Sequence, residues 1–310
     1  MISIGANWLN KGHLGHLFDD CCERNSKVLG LVPMAVSRAV LSWVVERLDA
    51  GERVAMASVI EALGSVPGKP GAKLAISSSG EKYGTVGGAG LELRIEQGLR
   101  KMLSISKSEM RKTGGKIETY LLYKDGKGKE VVALDSLCGG QLKVSLEVME
   151  PVPHILIAGG GHVGRSVSIV CDTLGWQHSV FDVRNEFSNL DRFPSAAEAI
   201  SCSVTDFLKM EDSFSMNRFS DILVLGHDWS VDQELLIGLL GMSSERVRIG
   251  VIGSKSKWKG FVRAAVESGI SESGLSKARC PIGLDIGADT PEEIAVAICA
   301  EILSMERGPN

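Results

Sequence analysis

The stretch that most constrains this chain is His154 to Asp182, HILIAGGGHVGRSVSIVCDTLGWQHSVFD. Ile155, Leu156, Ile157 and Ala158 form a short apolar run of the kind found in a buried parallel strand. Gly159-Gly-Gly161-His-Val-Gly164 then turns the chain into a helix. In such a unit Gly159 permits the tight turn, Gly161 lets backbone N–H groups approach a pyrophosphate, and Gly164 lets the helix pack closely on the strand. In such a unit a phosphate would sit at the helix N-terminus, which here begins at His162. About 20 residues further on, an acid is needed for a ribose hydroxyl, and Asp182 stands at that distance with Arg184 just behind it. The spacing therefore predicts a dinucleotide-binding βαβ unit.

With 310 residues the chain can hold two cores, and Glu150-Pro-Val-Pro153 is the break between them, because prolines discourage regular structure from crossing. The two halves differ in charge. Up to Glu150 there are 20 Lys+Arg against 17 Asp+Glu, and beyond it 14 against 21, so the first half is slightly basic and the second acidic. Neither has the strongly basic face of a nucleic-acid binder. No apolar run approaches the roughly 18 residues of a membrane helix, and the N-terminus lacks a signal-peptide pattern. The seven scattered cysteines contain no CxxC pair, which suggests neither a disulfide framework nor a zinc site and fits a reducing cytoplasm.

The expected fold class is α/β, with a C-terminal Rossmann-like parallel sheet preceded by a smaller mixed α/β domain. Residues 1–34 read as an N-terminal extension, 35–150 as the first domain and 151–310 as the second. In the first domain, apolar residues from Met34 to Leu48 recur at helical spacing, Arg53 to Leu63 and Ala72 to Ile76 are strand-like, and Leu91 to Met102 is helical again. Two glycine loops join these elements, Gly64-Ser-Val-Pro-Gly-Lys-Pro-Gly71 and Gly84-Thr-Val-Gly-Gly88. Their N–H groups suit phosphate or another oxyanion, with Ser65, Lys69 and Lys73 as added donors, although plain hairpin and strand-to-helix turns explain the same glycines. Lys116 to Tyr123, Val131 to Leu134 and Gln141 to Val148 read as strands, with Cys138 in a glycine turn ahead of the last.

In the second domain the expected strands are Ala199–Ser201, Asp221–Leu225 and Val247–Ile252, and the helices run over Asp232–Leu240, Trp258–Glu267 and Pro291–Ser304. Strand ends on the cofactor side read Gly226-His-Asp228 and Gly253-Ser254-Lys255. Asp285, in a loop between Gly283 and Gly287, has no local structural explanation and is a further candidate contact.

These motifs, in this order, resemble the XdhC/CoxI proteins, accessory factors for xanthine dehydrogenase and related molybdenum hydroxylases. The resemblance runs from about Arg53 to Leu303. It rests on Gly64-Ser-Val-Pro67 with Pro70-Gly71, Gly84-Thr-Val-Gly87-Gly88 with Glu92, and Cys138-Gly-Gly140 in the first domain. In the second it rests on Gly159 to Gly164, Asp182-Val-Arg184, Arg192-Phe-Pro194, His227-Asp228, Gly253-Ser-Lys255, and Pro281 to Gly287 with Thr290-Pro-Glu-Glu-Ile-Ala295. The resemblance implies a homodimer that binds molybdenum cofactor or its dinucleotide form, shields it while a cysteine desulfurase replaces an oxo ligand by sulfide, and passes it to an apo-hydroxylase. It implies ligand contacts at the glycine loops around Ser65, Gly88 and Gly161, and a sulfur or molybdenum contact at Cys138. One departure is marked: the family commonly places a cysteine after a glycine triplet before the acid matching Glu92, and here that position is Gly90, preceded by Ala89.

Two other readings compete. In the first, the second domain is a nicotinamide-dependent oxidoreductase, with Asp182 favouring NAD over NADP, Arg184 softening that preference, and His227 and Asp228 as acid and base. In the second, the Rossmann unit is a relic that only holds a docking surface.

Overall fold

A computed structural model describes residues 37–105, 114–122, 131–133, 139–242 and 246–307. The predicted extension and Cys138 lie outside the described residues. Two six-stranded sheets organise what is described.

The first sheet is built around β1 (Val54–Gly64) and β6 (Gly140–Met149), which pair antiparallel along their whole length from Val54↔Met149 to Gly64↔Gly140. On one side β2 (Lys73–Ser77) and β3 (Lys82–Thr85) extend the sheet, and on the other β4 (Lys116–Leu121) and β5 (Val131–Ala133). Strand period 2 sorts the side chains. Ala55, Ala57 and Val59 of β1 face Leu91, Ile95 and Leu99 of helix α2 (Ala89–Leu103), while Val54 and Met56 face Val40 and Val44 of helix α1 (Ser37–Asp49). The sheet is thus covered by a helix on each face. The short edge strand β3 carries no apolar alternation, which is why it is absent from the sequence reading.

The second sheet is parallel, in the order β12-β11-β10-β7-β8-β9. Its strands are β7 (His154–Ala158), β8 (Gln177–Phe181), β9 (Ala199–Ile200), β10 (Asp221–Val224), β11 (Arg248–Val251) and β12 (Ala278–Arg279). Numbered within this domain the order is 3-2-1-4-5-6, the Rossmann arrangement, with its switch point between β7 and β10. Ile155 and Ile157 pack on α3 (His162–Leu174) and α8 (Pro291–Arg307). Leu156 and Ala158 face the opposite layer, formed by α4 (Val204–Met210), α5 (Trp229–Gly241), α6 (Lys255–Glu267) and the single turn α7 (Glu272–Leu275). Both faces of the strands are therefore apolar, which explains their continuous hydrophobic runs. Three of these elements are absent from the sequence reading: α4, at seven residues, α7, at four, and β12, at two, are too short to show a period.

At the other end of this sheet Asp221, 0% exposed, is held by Arg248 at 2.6 Å and Arg279 at 3.3 Å, and these pair in turn with Glu306 at 2.7 Å and Glu301 at 3.0 Å. The network ties the starts of β10, β11 and β12 to α8. A cavity of about 380 Å³ opens beside it, between Arg53, the Pro151–Pro153 linker and Arg248. Arg53 is paired there with Glu150, and Arg218 with Glu211. No helix among the described residues is long and apolar enough to cross a membrane.

Candidate functional site

Glycine clusters that are separate in sequence meet at one end of the first sheet. The pairing of β1 with β6, shifted between Val59 and Glu61, sets Gly64 opposite Gly140. A Cβ at Gly64 would lie 2.9 Å from the Gly139 carbonyl oxygen, and the Ser65 N–H donates to that oxygen at 3.0 Å. Across the cluster a Cβ at Gly68 would overlap the Val86 carbonyl, and one at Gly87 would overlap the Pro67 carbonyl. The loops at 64–71, 84–88 and 139–140 therefore form a single surface that reaches from the middle of β1 to its end at Gly64, remote from the linker.

Glu92 shapes this surface from beneath. Its Oε1 accepts from Thr85 Oγ1 and, at 3.3 Å, from the Gly87 N–H, so the carboxylate holds the loop rather than facing a ligand. Gly88 caps α2 with φ +77°, and no side chain fills the free N–H positions of that helix end. The Ser65 hydroxyl and the Lys69 ammonium, both on exposed residues, have no partner among the described residues. Lys73, in contrast, donates to Ser58 at 2.8 Å. Unfilled N–H groups at a helix N-terminus with a free hydroxyl and a free cation suit an anionic oxygen. Gly90 has open space around it: a Cβ there would meet nothing within 4 Å.

The second set of candidates surrounds the switch point. Gly159, at φ +120°, leaves no room for a side chain, since a Cβ would lie 2.6 Å from the Leu225 carbonyl carbon of the neighbouring chain segment. A Cβ at Gly164 would overlap the Gly159 carbonyl, which is the close helix–strand approach predicted for it. Gly161 caps α3 without a side-chain bond and is open, with His162 exposed behind it.

Asp182 lies at the end of β8, 5% exposed. Burial opposes its ionisation, yet hydrogen bonds from Arg184 and from the Gly160 N–H hold its carboxyl below the usual range. Arg192, absent from the set of residues assigned a ligand contact on sequence alone, donates to the Gly160 carbonyl at 2.9 Å and to Gly161 at 3.4 Å. The signal was its place in the Arg192-Phe-Pro194 motif. On the β10 side, Asp228 is the N-cap of α5, accepting from Ser230 at 2.8 Å and Val231 at 3.1 Å, and these bonds keep its pKa low. It is a helix cap, not the base of an acid/base pair with His227. Ser254 likewise caps α6 through the Lys257 N–H at 3.2 Å, and Gly253 packs against the Lys257 stem. Asp285 is exposed on the loop after β12, between the exposed Leu284 and Ile286. Beneath the crevice Asp232 is buried, and burial raises its pKa despite a 2.9 Å ion pair with Lys257. Among the described residues no group of three or more His, Cys, Asp or Glu is placed to hold a metal ion.

Comparison with known proteins places both domains in one family. Residues 155–302 match the XdhC Rossmann domain, and residues 47–114 match the XdhC and CoxI family. The chain belongs to the XdhC and CoxI family. An Escherichia coli K12 protein described as the uncharacterized protein YqeB is 28% identical over 258 residues, which is 81% of this chain and 43% of that protein. A Bacillus subtilis protein described as a probable xanthine dehydrogenase subunit is 26% identical over 162 residues, 52% of this chain and 46% of that one. This XdhC-family chain thus matches less than half the length of either curated relative. Among solved structures, a Bacillus halodurans protein described as a xanthine dehydrogenase is 20% identical, with a TM-score of 0.45 over 86% of this chain and 96% of that one.

Proposed function

We propose that this chain is an accessory factor that binds molybdenum cofactor as cargo and aids its sulfuration and insertion into a xanthine dehydrogenase-type hydroxylase. The observation that carries this is the convergence of the glycine loops at 64–71, 84–88 and 139–140, with Pro67 against the uncapped start of α2 and with Ser65 and Lys69, on the first of these loops, having no side-chain partner among the described residues. A phosphorylated pterin presents anionic oxygens, which such N–H groups and a lone ammonium accommodate. The reading draws support from family membership and from the description of the Bacillus subtilis relative as a probable xanthine dehydrogenase subunit.

On this account the residues hold and shield rather than transform. Glu92 and Thr85 fix the loop so that the N–H groups are arranged before the cargo arrives, which lowers the ordering cost of binding. The partners are the apo-hydroxylase and a cysteine desulfurase, and the working form is a homodimer. The sulfide comes from the desulfurase, and Cys138 is the candidate sulfur or molybdenum contact, since no thiol stands at Gly90. The test is anaerobic reconstitution: an apo-hydroxylase given molybdenum cofactor, sulfide donor and this chain should gain activity faster than without it. Equal rates with and without the chain would reject the accessory role.

A further inference from the structure

Asp182 in this structure has no acceptor left for a ligand. A carboxylate offers about four lone-pair sites. Oδ1 accepts the Arg184 backbone N–H at 3.0 Å and its Nε at 2.9 Å, while Oδ2 accepts Arg184 Nη2 at 2.9 Å and the Gly160 N–H at 3.0 Å. The two hydroxyls of an ordinary ribose therefore find this acid already satisfied by its own chain. Space agrees with the bonding: the crevice between the ends of β8 and β10 has a free volume of about 20 Å³. That is room for about one water.

Arg184 spans from one side of this crevice to the other. Its guanidinium lies 3.8 Å from the Phe187 ring, and its remaining nitrogen, Nη1, reaches across to within 3.5 Å of His227 Nε2 on the β10 side. A second guanidinium, that of Arg192, sits 5.2 Å from the same Phe187 ring and is fastened to the glycine loop. Two cations thus flank one ring beside an open, uncapped α3 N-terminus, with Arg165 exposed in the first turn of that helix.

A phosphate on the ribose changes this balance. It carries close to two negative charges and three acceptor oxygens against one charge on Asp182, and guanidinium binds phosphate in the same bidentate manner as carboxylate. We propose that the Rossmann crevice is a site for a nucleotide phosphorylated on its ribose as well as at its 5′ position. Arg184 reads the ribose phosphate, Asp182 holds Arg184 in place until it arrives, and the 5′-phosphate lies at Gly161. This site is separate from the first-domain loops and does not rest on the accessory function.

Titration calorimetry of the full chain with adenosine 2′,5′-bisphosphate, adenosine 3′,5′-bisphosphate and 5′-AMP tests this. At least one bisphosphate should bind tenfold or more tightly than 5′-AMP, and whichever does so identifies the ribose position. Arg184→Ala, or Arg184→Gln if the alanine variant folds poorly, should lose that tenfold advantage while gaining affinity for 5′-AMP, because Asp182 is released. The proposal is overturned if 5′-AMP binds the unaltered chain as well as both bisphosphates do, if none of the three binds, or if the preference survives in the Arg184 variant. The comparison on the unaltered chain stands whatever the variants do.

Discussion

Pro67 packs directly against Gly88: a Cβ added to that glycine would lie 2.7 Å from Pro67 Cγ. Gly88 also holds φ +77° and ψ 117°, a conformation that residues with a Cβ rarely adopt. The contact joins the two long glycine loops of the first domain and places the start of α2 at their meeting point.

Gly88→Ala should therefore destabilise the protein by about 1–3 kcal/mol through backbone strain and overlap. Urea unfolding measures this, and the same variant should bind molybdenum cofactor at least tenfold more weakly. A variant as stable as the parent would show that the loops do not pack as described.

Gly90→Cys has the opposite expectation. Nothing lies within 4 Å of a Cβ at that position, so stability should change by no more than about 0.5 kcal/mol. The new thiol should react at once with a maleimide in the native protein. Slow labelling, or a large loss of stability, would contradict the open space around Gly90.

Glu92→Ala removes the acceptor for Thr85 Oγ1 and the Gly87 N–H. Losing these bonds should cost about 1–3 kcal/mol. It should also raise hydrogen exchange at Gly87, whereas exchange in the core of β7 should stay as it is. Unchanged exchange at Gly87 would mean that Glu92 does not fix the loop.

Acid should weaken the fold through His154. This ring is buried against Phe219 and bonded to Ser179 at 2.9 Å, and burial pushes its pKa down to about 4. An unfolded chain binds the proton near pH 6.5, so between pH 6.5 and 4 the unfolded state takes up a proton that the native state refuses. Stability is full above pH 6.5 and falls as pH drops, by about 2 kcal/mol at pH 5 from this group. Burial lowers the pKa of His178 too, in the same direction. His154→Gln should lose less stability than the parent between pH 7 and pH 5 in urea titrations. An identical loss in both would place the acid sensitivity elsewhere.

Sequence pattern carried the Rossmann unit far because its signal is local: strand, glycine turn, helix and acid all fall between His154 and Asp182. The glycine loops of the first domain were each legible, but their meeting was not. It depends on the long-range register that sets Gly64 opposite Gly140, with a shift at Val59/Glu61. Asp228 and Ser254 illustrate the reverse case. Both stand at strand ends, where function is expected, and both turn out to be helix caps, a role that their side-chain chemistry serves equally well. The saturation of Asp182 by Arg184 was likewise invisible, since two residues of spacing do not say which way a long side chain folds back.

The most direct test of the central claim is equilibrium binding of molybdenum cofactor to the purified chain under anaerobic conditions, with the unaltered protein beside Gly88→Ala and Arg184→Ala. The account predicts binding that is weakened at least tenfold by Gly88→Ala and left unchanged by Arg184→Ala. No binding to the unaltered chain, or binding lost only in Arg184→Ala, would contradict the assignment of the cargo to the first-domain glycine loops.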